Sequence, residues 1–423
     1  MKFNYGKIFL LGFGFFGVSV IWGVYNAFVP IFLADKFNLA PAFIGFFMTL
    51  DNIAALFIQP PVGAWSDRLR TPIGRRLPFI LVGAPITALA FGLIPLAAVL
   101  PLFVACTSTL LLSAALWRTP VVALMPDITP SPNRSQANGI INFMGGIGTI
   151  IALQTGGMLY KISPSFPFWL GSALVVVAAL IVFLFIREPK DYAERNEQQP
   201  SMIESLREVL NDEDRSGARI LFAIFFWFLG YSAVETFFTL YAQKHLGIDA
   251  GDGATLLSVF PLFFVLFAIP SGFIAARIGR RVAISIGLIV VAVVLALLYI
   301  LPATTLLSAV SPLPLVGIPL TEGGPRMLTM AGVLLIFGGT GWAFVNINSL
   351  PMVVELTSAA RIGTFTGLYY LFSTLSAIVG PNVNGWAIQL SGNNYSVIML
   401  IAPFFMLAAL VLMLGVRRGE ATV

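Results

Sequence analysis

The chain of 423 residues is 58% hydrophobic and only 10% charged, with a mean hydropathy of +0.92. A water-soluble fold of that size needs far more charged surface, so the solvent around most of this chain is lipid. One cysteine and one histidine exclude an internal disulfide and a Cys/His metal cluster, and the net charge of +5 sits in short segments between apolar runs, which gives no nucleic-acid signal.

Taken in chain order, stretches long enough to cross a hydrocarbon core of ~30 Å as helices recur twelve times. They fall at about 8–34, 41–66, 77–97, 101–125, 136–160, 165–186, 219–242, 254–275, 282–304, 327–354, 362–389 and 394–416. Between the third and fourth, Pro95 and Pro101 are the only punctuation. The first span runs directly into the rest, so no cleavable signal peptide is expected. The long hydrophilic run from Arg187 to Arg219 divides the spans six and six, predicting bundles at 1–186 and 219–423 joined by a loop at 187–218. Within that loop, SMIESLREVLN at 201–211 has helical apolar spacing and reads as a short amphipathic helix at the membrane face.

Lys and Arg set the orientation. With the N-terminus inside, Lys36, Lys161, Lys244 and Arg326 face out, Arg118 lies within the membrane, and the other nineteen of the 24 basic residues are cytoplasmic. Both termini are therefore expected in the cytoplasm of a cell membrane.

The densest cationic loop is Gly63-Ala-Trp-Ser-Asp67-Arg68-Leu-Arg70-Thr-Pro-Ile-Gly74-Arg75-Arg76. A weaker echo, Gly272-Phe-Ile-Ala-Ala-Arg277-Ile-Gly279-Arg280-Arg281, lies 209 residues on. Asp127 and Glu355 are related by 228 residues, as are Gly139 and Gly367, and Asn26 corresponds to Glu235 on the 209-residue offset. Two copies of one multi-span pattern indicate parallel repeats related by an axis along the membrane normal. The expected fold is thus an all-α membrane protein of twelve transmembrane helices in two six-helix parallel repeats.

The loop between the second and third spans resembles the signature of the major facilitator superfamily. The run Gln59-Pro60-Pro61-Val62-Gly63 to Arg68, then Gly74 to Ile80, with Ala123-Leu124-Met125-Pro126-Asp127 and Arg134…Ala137-Asn138-Gly139, is similar to the sucrose–proton symporters and the glycoside–pentoside–hexuronide cation symporters. That likeness covers roughly residues 50–145 and implies a carrier working by alternating access. Two departures stand against copying the coupling residues: Leu111 occupies the position of the sucrose symporters' helix-4 aspartate, and Ala55 and Gln59 occupy those of the cation symporters' helix-2 carboxylates.

An ionisable group at membrane depth costs at least ~2.5–3.5 kcal/mol, so each one calls for a reason. Asp51 in the second span, Arg118 in the fourth and Glu235 in the seventh are the clear cases. A purely structural ion pair is a weak reason, since apolar packing replaces one at little cost. An acid balanced between desolvation and a nearby arginine can load a proton on one side and release it on the other, so all three are candidate proton-coupling residues. Asn26, Arg118, Trp117, Asn142, Asn346 and Asn348 are candidate substrate contacts, because planar amides and aromatic faces suit the hydroxyls and C–H faces of a sugar. Helix packing and interfacial anchoring are the plainer readings of such residues. Asp67, Arg68, Arg75 and Asp127, with Arg277, Arg280 and Glu355 as a weaker second set, are candidate gates that hold one side shut by charge contacts.

The sequence therefore reads as a monomeric proton- or Na+-coupled symporter of a sugar or glycoside, with no cofactor and no metal. Proton-driven export of cationic or amphiphilic compounds is the transport alternative. A non-transporting sensor on the same fold is the alternative of another class, and an enzyme is disfavoured by the lack of a nucleophile–base pair, metal cluster or nucleotide loop.

Overall fold

The computed structural model describes residues 4–129, 133–188, 202–314, 316–321, 323–356 and 362–419. Among them, eleven helices are long and apolar enough to cross a membrane. In chain order, α1 is Tyr5–Ile31, α2 Pro41–Phe47, α3 Leu50–Arg68, α4 Leu77–Leu93, α5 Leu100–Ile128, α6 Arg134–Ile162 and α7 Phe166–Phe185. After a short α8 at Met202–Asn211 come α9 Ser216–Tyr241, α10 Ala250–Leu257, α11 Val259–Ile278 and α12 Arg280–Ile300. A single turn, α13 (Ala303–Leu306), precedes α14 Met330–Val354, α15 Ile362–Leu390 and α16 Val397–Leu414. The long helix outside the eleven is α15, whose 29 residues carry Pro381, Asn382 and Asn384 within its last third. This is the architecture expected of the twelve-span fold.

Most predicted boundaries hold to within a few residues, and three local differences have physical causes. The second span is two helices, α2 and α3, broken at Met48 and Thr49, and the eighth is likewise α10 and α11, broken at Ser258. Thr49 and Ser258 turn their hydroxyls back on the carbonyls of Phe46 and Thr255, an alternative bond that loosens the helical ladder. The tenth span begins at Met330 instead of 327, because Arg326–Thr329 is a strand, β3, pairing antiparallel with β1 (Ala309–Pro312) and β2 (Ile318–Pro319). The first and seventh spans end in wider π turns at Phe32–Lys36 and Ala242–Leu246. The amphipathic helix of the central loop forms as α8, and its Val209 is buried.

The chain divides into two compact units: Met1–Leu39, Leu50–Glu194 and Asp249–Ser258 in one, and Ala40–Thr49, Arg195–Ile248 and Val259–Val423 in the other. In the first, α1 packs on α6 and α7, α4 on α5 and α7, and α10 on α6. In the second, α9 packs on α15 and α16, α14 on α11 and α12, and α2 on α15. Lipid is as apolar as leucine, so such helices associate through close backbone approach and polar contacts. At Gly385 a Cβ would lie 2.5 Å from the Pro41 carbonyl, and at Gly157 it would strike the Gly251 carbonyl, so only glycine lets α15 seat α2 and α6 seat α10.

Candidate functional site

The loop from α3 to α4 turns at Gly74, whose φ of 122° lies where glycine is favoured. The turn brings two arginines back onto the ends of α3 and α5. Arg75 Nη2 donates to Asp127 Oδ1 at 2.8 Å and Arg76 Nε to Asp127 Oδ2 at 3.1 Å, so two guanidiniums grip one carboxylate. Arg76 also reaches Asp67 at 2.5 Å and donates to the Ser66 hydroxyl, while Arg75 lies 3.9 Å from Asp67. Of the gate residues expected from sequence, the structure joins Asp67, Arg75 and Asp127. Arg68 is exposed and stands outside these contacts. Arg76, only 5% exposed, is the hub that sequence reasoning missed.

Glu188 was missed as well. Its carboxylate accepts from the backbone N–H groups of Arg75, Arg76 and Leu77 at 2.9, 2.8 and 2.8 Å, capping the N-terminus of α4 where a negative charge is favoured. The second repeat builds a smaller version. Gly279 has a φ of 91°, Arg280 pairs with Glu355 at 3.3 Å, and Arg281 donates to the Leu414 carbonyl at 2.6 Å. Arg277 is exposed at the end of α11.

Within the first unit, the break before α3 places Asp51 in a first helical turn, among backbone N–H groups that favour an anion. Asn52 Nδ2 donates to its Oδ1 at 2.8 Å, and Asp51 interacts electrostatically with Arg118 of α5 and Tyr25 of α1. The Tyr25 hydroxyl and the Trp117 Nε1 are buried and, among the described residues, have no hydrogen-bond partner. Asn26 is half-buried on α1. Asn142 is exposed on α6, and its amide donates to the Asn138 carbonyl and side chain at 2.8 and 3.0 Å.

The second unit holds an aromatic cluster beside an intramembrane acid. Tyr231 of α9 stacks on Trp342 of α14, with centroids 4.4 Å apart and planes 5° from parallel. Phe228 meets Trp342 and Tyr369 edge-on at 5.5 and 6.2 Å, and Phe260 lies 6.1 Å from Tyr231. Glu235, half-buried one turn along α9, acts electrostatically on Tyr231. Asn346 is half-buried, whereas Asn348 is 4% exposed and spends its amide on the Phe344 carbonyl at 2.9 Å.

Three further contacts are absent from the sequence reading because their partners are distant in the chain. Lys161 pairs with Asp252 at 2.7 Å, the Ser258 hydroxyl donates to Gln154 Oε1 at 2.8 Å, and Asn382 Nδ2 donates to the Thr49 hydroxyl at 3.4 Å.

The sequence profile described as Major Facilitator Superfamily matches residues 11–381. The chain belongs to the major facilitator superfamily. As a superfamily member it is a multi-pass membrane transporter that takes a small-molecule substrate in a lipid bilayer. Multidrug resistance protein 2 of Bacillus subtilis (strain 168) is 24% identical over 405 residues, covering 94% of this chain and 90% of that protein. The class E tetracycline resistance protein of Escherichia coli is 25% identical over 397 residues, covering 92% and 91%. Among solved structures, that of a mutant of the nucleoside transporter NupG aligns with a TM-score of 0.73 at 17% identity, covering 97% of this chain and 100% of that one. A bacterial homologue of the human lysosomal transporter Spinster gives 0.73 at 14% identity, covering 100% of both chains. The superfamily expected from the Arg-rich loop is thus established. The finer likeness to sucrose and glycoside symporters finds no counterpart in these relatives, two of which are resistance proteins.

Proposed function

We propose that this transporter exports amphiphilic cationic or aromatic compounds in exchange for protons. The observation that carries the reading is the Tyr231–Trp342 stack with Glu235 beside it. Aromatic faces attract a cation through their quadrupole, and a carboxylate in a low-dielectric wall supplies the compensating charge. Long relatives named for multidrug and tetracycline resistance favour the same direction. Sugar or glycoside uptake needs amides facing the solute, and Asn142 and Asn348 instead donate to their own helices.

In this reading the bundles at 1–186 and 219–423 alternate access, with both termini and the 187–218 loop in the cytoplasm. Asp67, Arg75, Arg76 and Asp127, helped by Arg280 and Glu355, close the cytoplasmic side. Asp51 with Arg118, and Glu235, exchange charge with protons and cargo.

Everted vesicles test this. A fluorescent lipophilic cation is expected to accumulate when the lumen is acid, and collapsing the pH gradient is expected to release it. Glu235→Gln is expected to abolish that accumulation with the chain still inserted. Accumulation of a radiolabelled glycoside under an opposite gradient, with no cation transport, would instead restore the sugar symport reading.

A further inference from the structure

We propose that the cleft between the Arg-rich loop and the end of α7 binds the phosphate headgroup of an anionic phospholipid. The cleft has a volume of about 610 Å³ and runs between residues 70–77 of the loop and 183–188 at the α7 terminus. A water in liquid occupies ~30 Å³, so the space takes about twenty waters, several times what an inorganic phosphate fills.

Its lining divides by chemistry. Arg70, Arg75 and Arg187 supply cations against one acid, Glu188, whose charge is already compensated by three backbone N–H groups. Arg75 is engaged with Asp127 and Asp67, and Arg70 and Arg187 line the cleft at exposed positions. Arg70 donates to the carbonyls of Asp67 and Leu69, which hold its guanidinium against the loop at the mouth of the cleft. Ile73, Leu77, Phe183, Leu184 and Ile186 form the apolar remainder of the lining.

The apolar rim decides between a lipid and a soluble anion. Ile73, Leu184 and Phe185 are 43%, 64% and 56% exposed where α7, a membrane-length apolar helix, ends. Val177, Leu180 and Leu184 form an exposed stripe along α7 at spacings of three and four. A headgroup seated on Arg70 and Arg187 would lay an acyl chain along that stripe, whereas a soluble anion would leave it uncovered. Because the same loop carries Arg75 and Arg76, an occupied cleft would hold both arginines on Asp127 and so favour the closed charge cluster.

The test uses the full chain in neutral detergent, titrated with short-chain phosphatidylglycerol, short-chain phosphatidylcholine or inorganic phosphate, with bound lipid counted by native mass spectrometry. Phosphatidylglycerol is expected to saturate one site at least tenfold more tightly than phosphatidylcholine, and phosphate to leave it in place. Arg187→Gln and Arg70→Gln are each expected to weaken it about fivefold, as for one cation near a charged surface. Both side chains are exposed, and Arg187→Gln alone serves if Arg70→Gln fails to fold. Equal binding of the two lipids, displacement by phosphate, or unchanged binding in the variants would overturn the proposal. None of these outcomes depends on what the protein transports.

Discussion

Arg76 is the strongest point of leverage on the charge cluster, and its removal can be worked from the contacts. Breaking a buried ion pair by deleting one partner costs ~3–5 kcal/mol, because the other charge is left buried and uncompensated. Here two features reduce that figure. Asp127 keeps Arg75 at 2.8 Å, and the Asp67 side chain is 56% exposed and is rehydrated readily. Arg76→Gln is therefore expected to cost ~2 kcal/mol, a factor of ~30 in the unfolding constant. Arg68→Gln, at an exposed position outside the cluster, is expected to stay within ~0.5 kcal/mol. Reversible denaturant unfolding in mixed micelles, followed by tryptophan fluorescence, measures both. A double-mutant cycle with Asp127→Asn is expected to return ~1–2 kcal/mol of coupling for Arg76 and nothing for Arg68. If Arg76→Gln proves no more damaging than Arg68→Gln, the cluster contributes only charge to the loop, and the gate assigned to it loses its basis.

Cysteines at Asn211 and Ser308 on a Cys106→Ala background are expected to react with an impermeant reagent from opposite sides of the membrane; labelling from one side would overturn the orientation. Gly157→Ala places a methyl group against the Gly251 carbonyl and is expected to cost ~1–3 kcal/mol in the same unfolding assay, as overpacking does. Outside the membrane, the Ser216 hydroxyl bond to Asp214, helped by the Ser216 N–H and by Arg418 and Arg417, holds that carboxyl below its ordinary value. A depressed carboxyl adds stability above its unfolded pKa of ~4 that is lost as pH falls through the folded value. Asp214→Asn is accordingly expected to flatten the acid limb of a melting-temperature profile between about pH 5 and 3 and to change little at pH 7. In the vesicle assay, Asp51→Asn is the companion of Glu235→Gln: it is expected to uncouple the cation from the pH gradient, and a Glu235→Gln variant that still concentrates the cation would refute the cargo role given to α9.

What the sequence made legible follows from the range of the forces involved. Membrane spans are local, set by about twenty consecutive side chains, and both their number and most ends could be read directly. The breaks at Thr49 and Ser258 were not legible, because a hydroxyl inside an apolar run is compatible with an unbroken helix until its bonding partner is known. Arg76 was hidden beside Arg75: two adjacent arginines are equivalent by composition, and only the left-handed turn at Gly74 decides which one is buried. Glu188 lies 112 residues from Arg76, and Lys161 lies 91 from Asp252. No pattern along the chain announces pairs of that separation. The intramembrane acids, by contrast, stood out at once, since their cost in lipid is incurred wherever they point.

The repeat offsets give these scattered residues one order. On the 209-residue offset Trp22, Asn26 and Asp51 correspond to Tyr231, Glu235 and Phe260, and on the 228-residue offset Arg118 corresponds to Asn346. The same offsets relate Thr49 with Asn382 to Ser258 with Gln154, so the hydroxyl–amide contacts at the two helix breaks are copies of one contact. Structure was retained at those positions while the chemistry at the first set diverged. The first repeat keeps an acid and a base in mutual electrostatic contact; the second has an aromatic and an amide in their places, and carries its acid on α9 beside a stacked ring pair. An acid poised between desolvation and an arginine of its own repeat is suited to loading and releasing a proton. An acid flanked by aromatic faces is suited to a cation that arrives with the cargo, because the rings and the carboxylate attract the same charge. On the export reading proposed above, duplication of a single bundle supplies two carboxylates in unlike surroundings, Asp51 for the proton and Glu235 for the charge of the cargo.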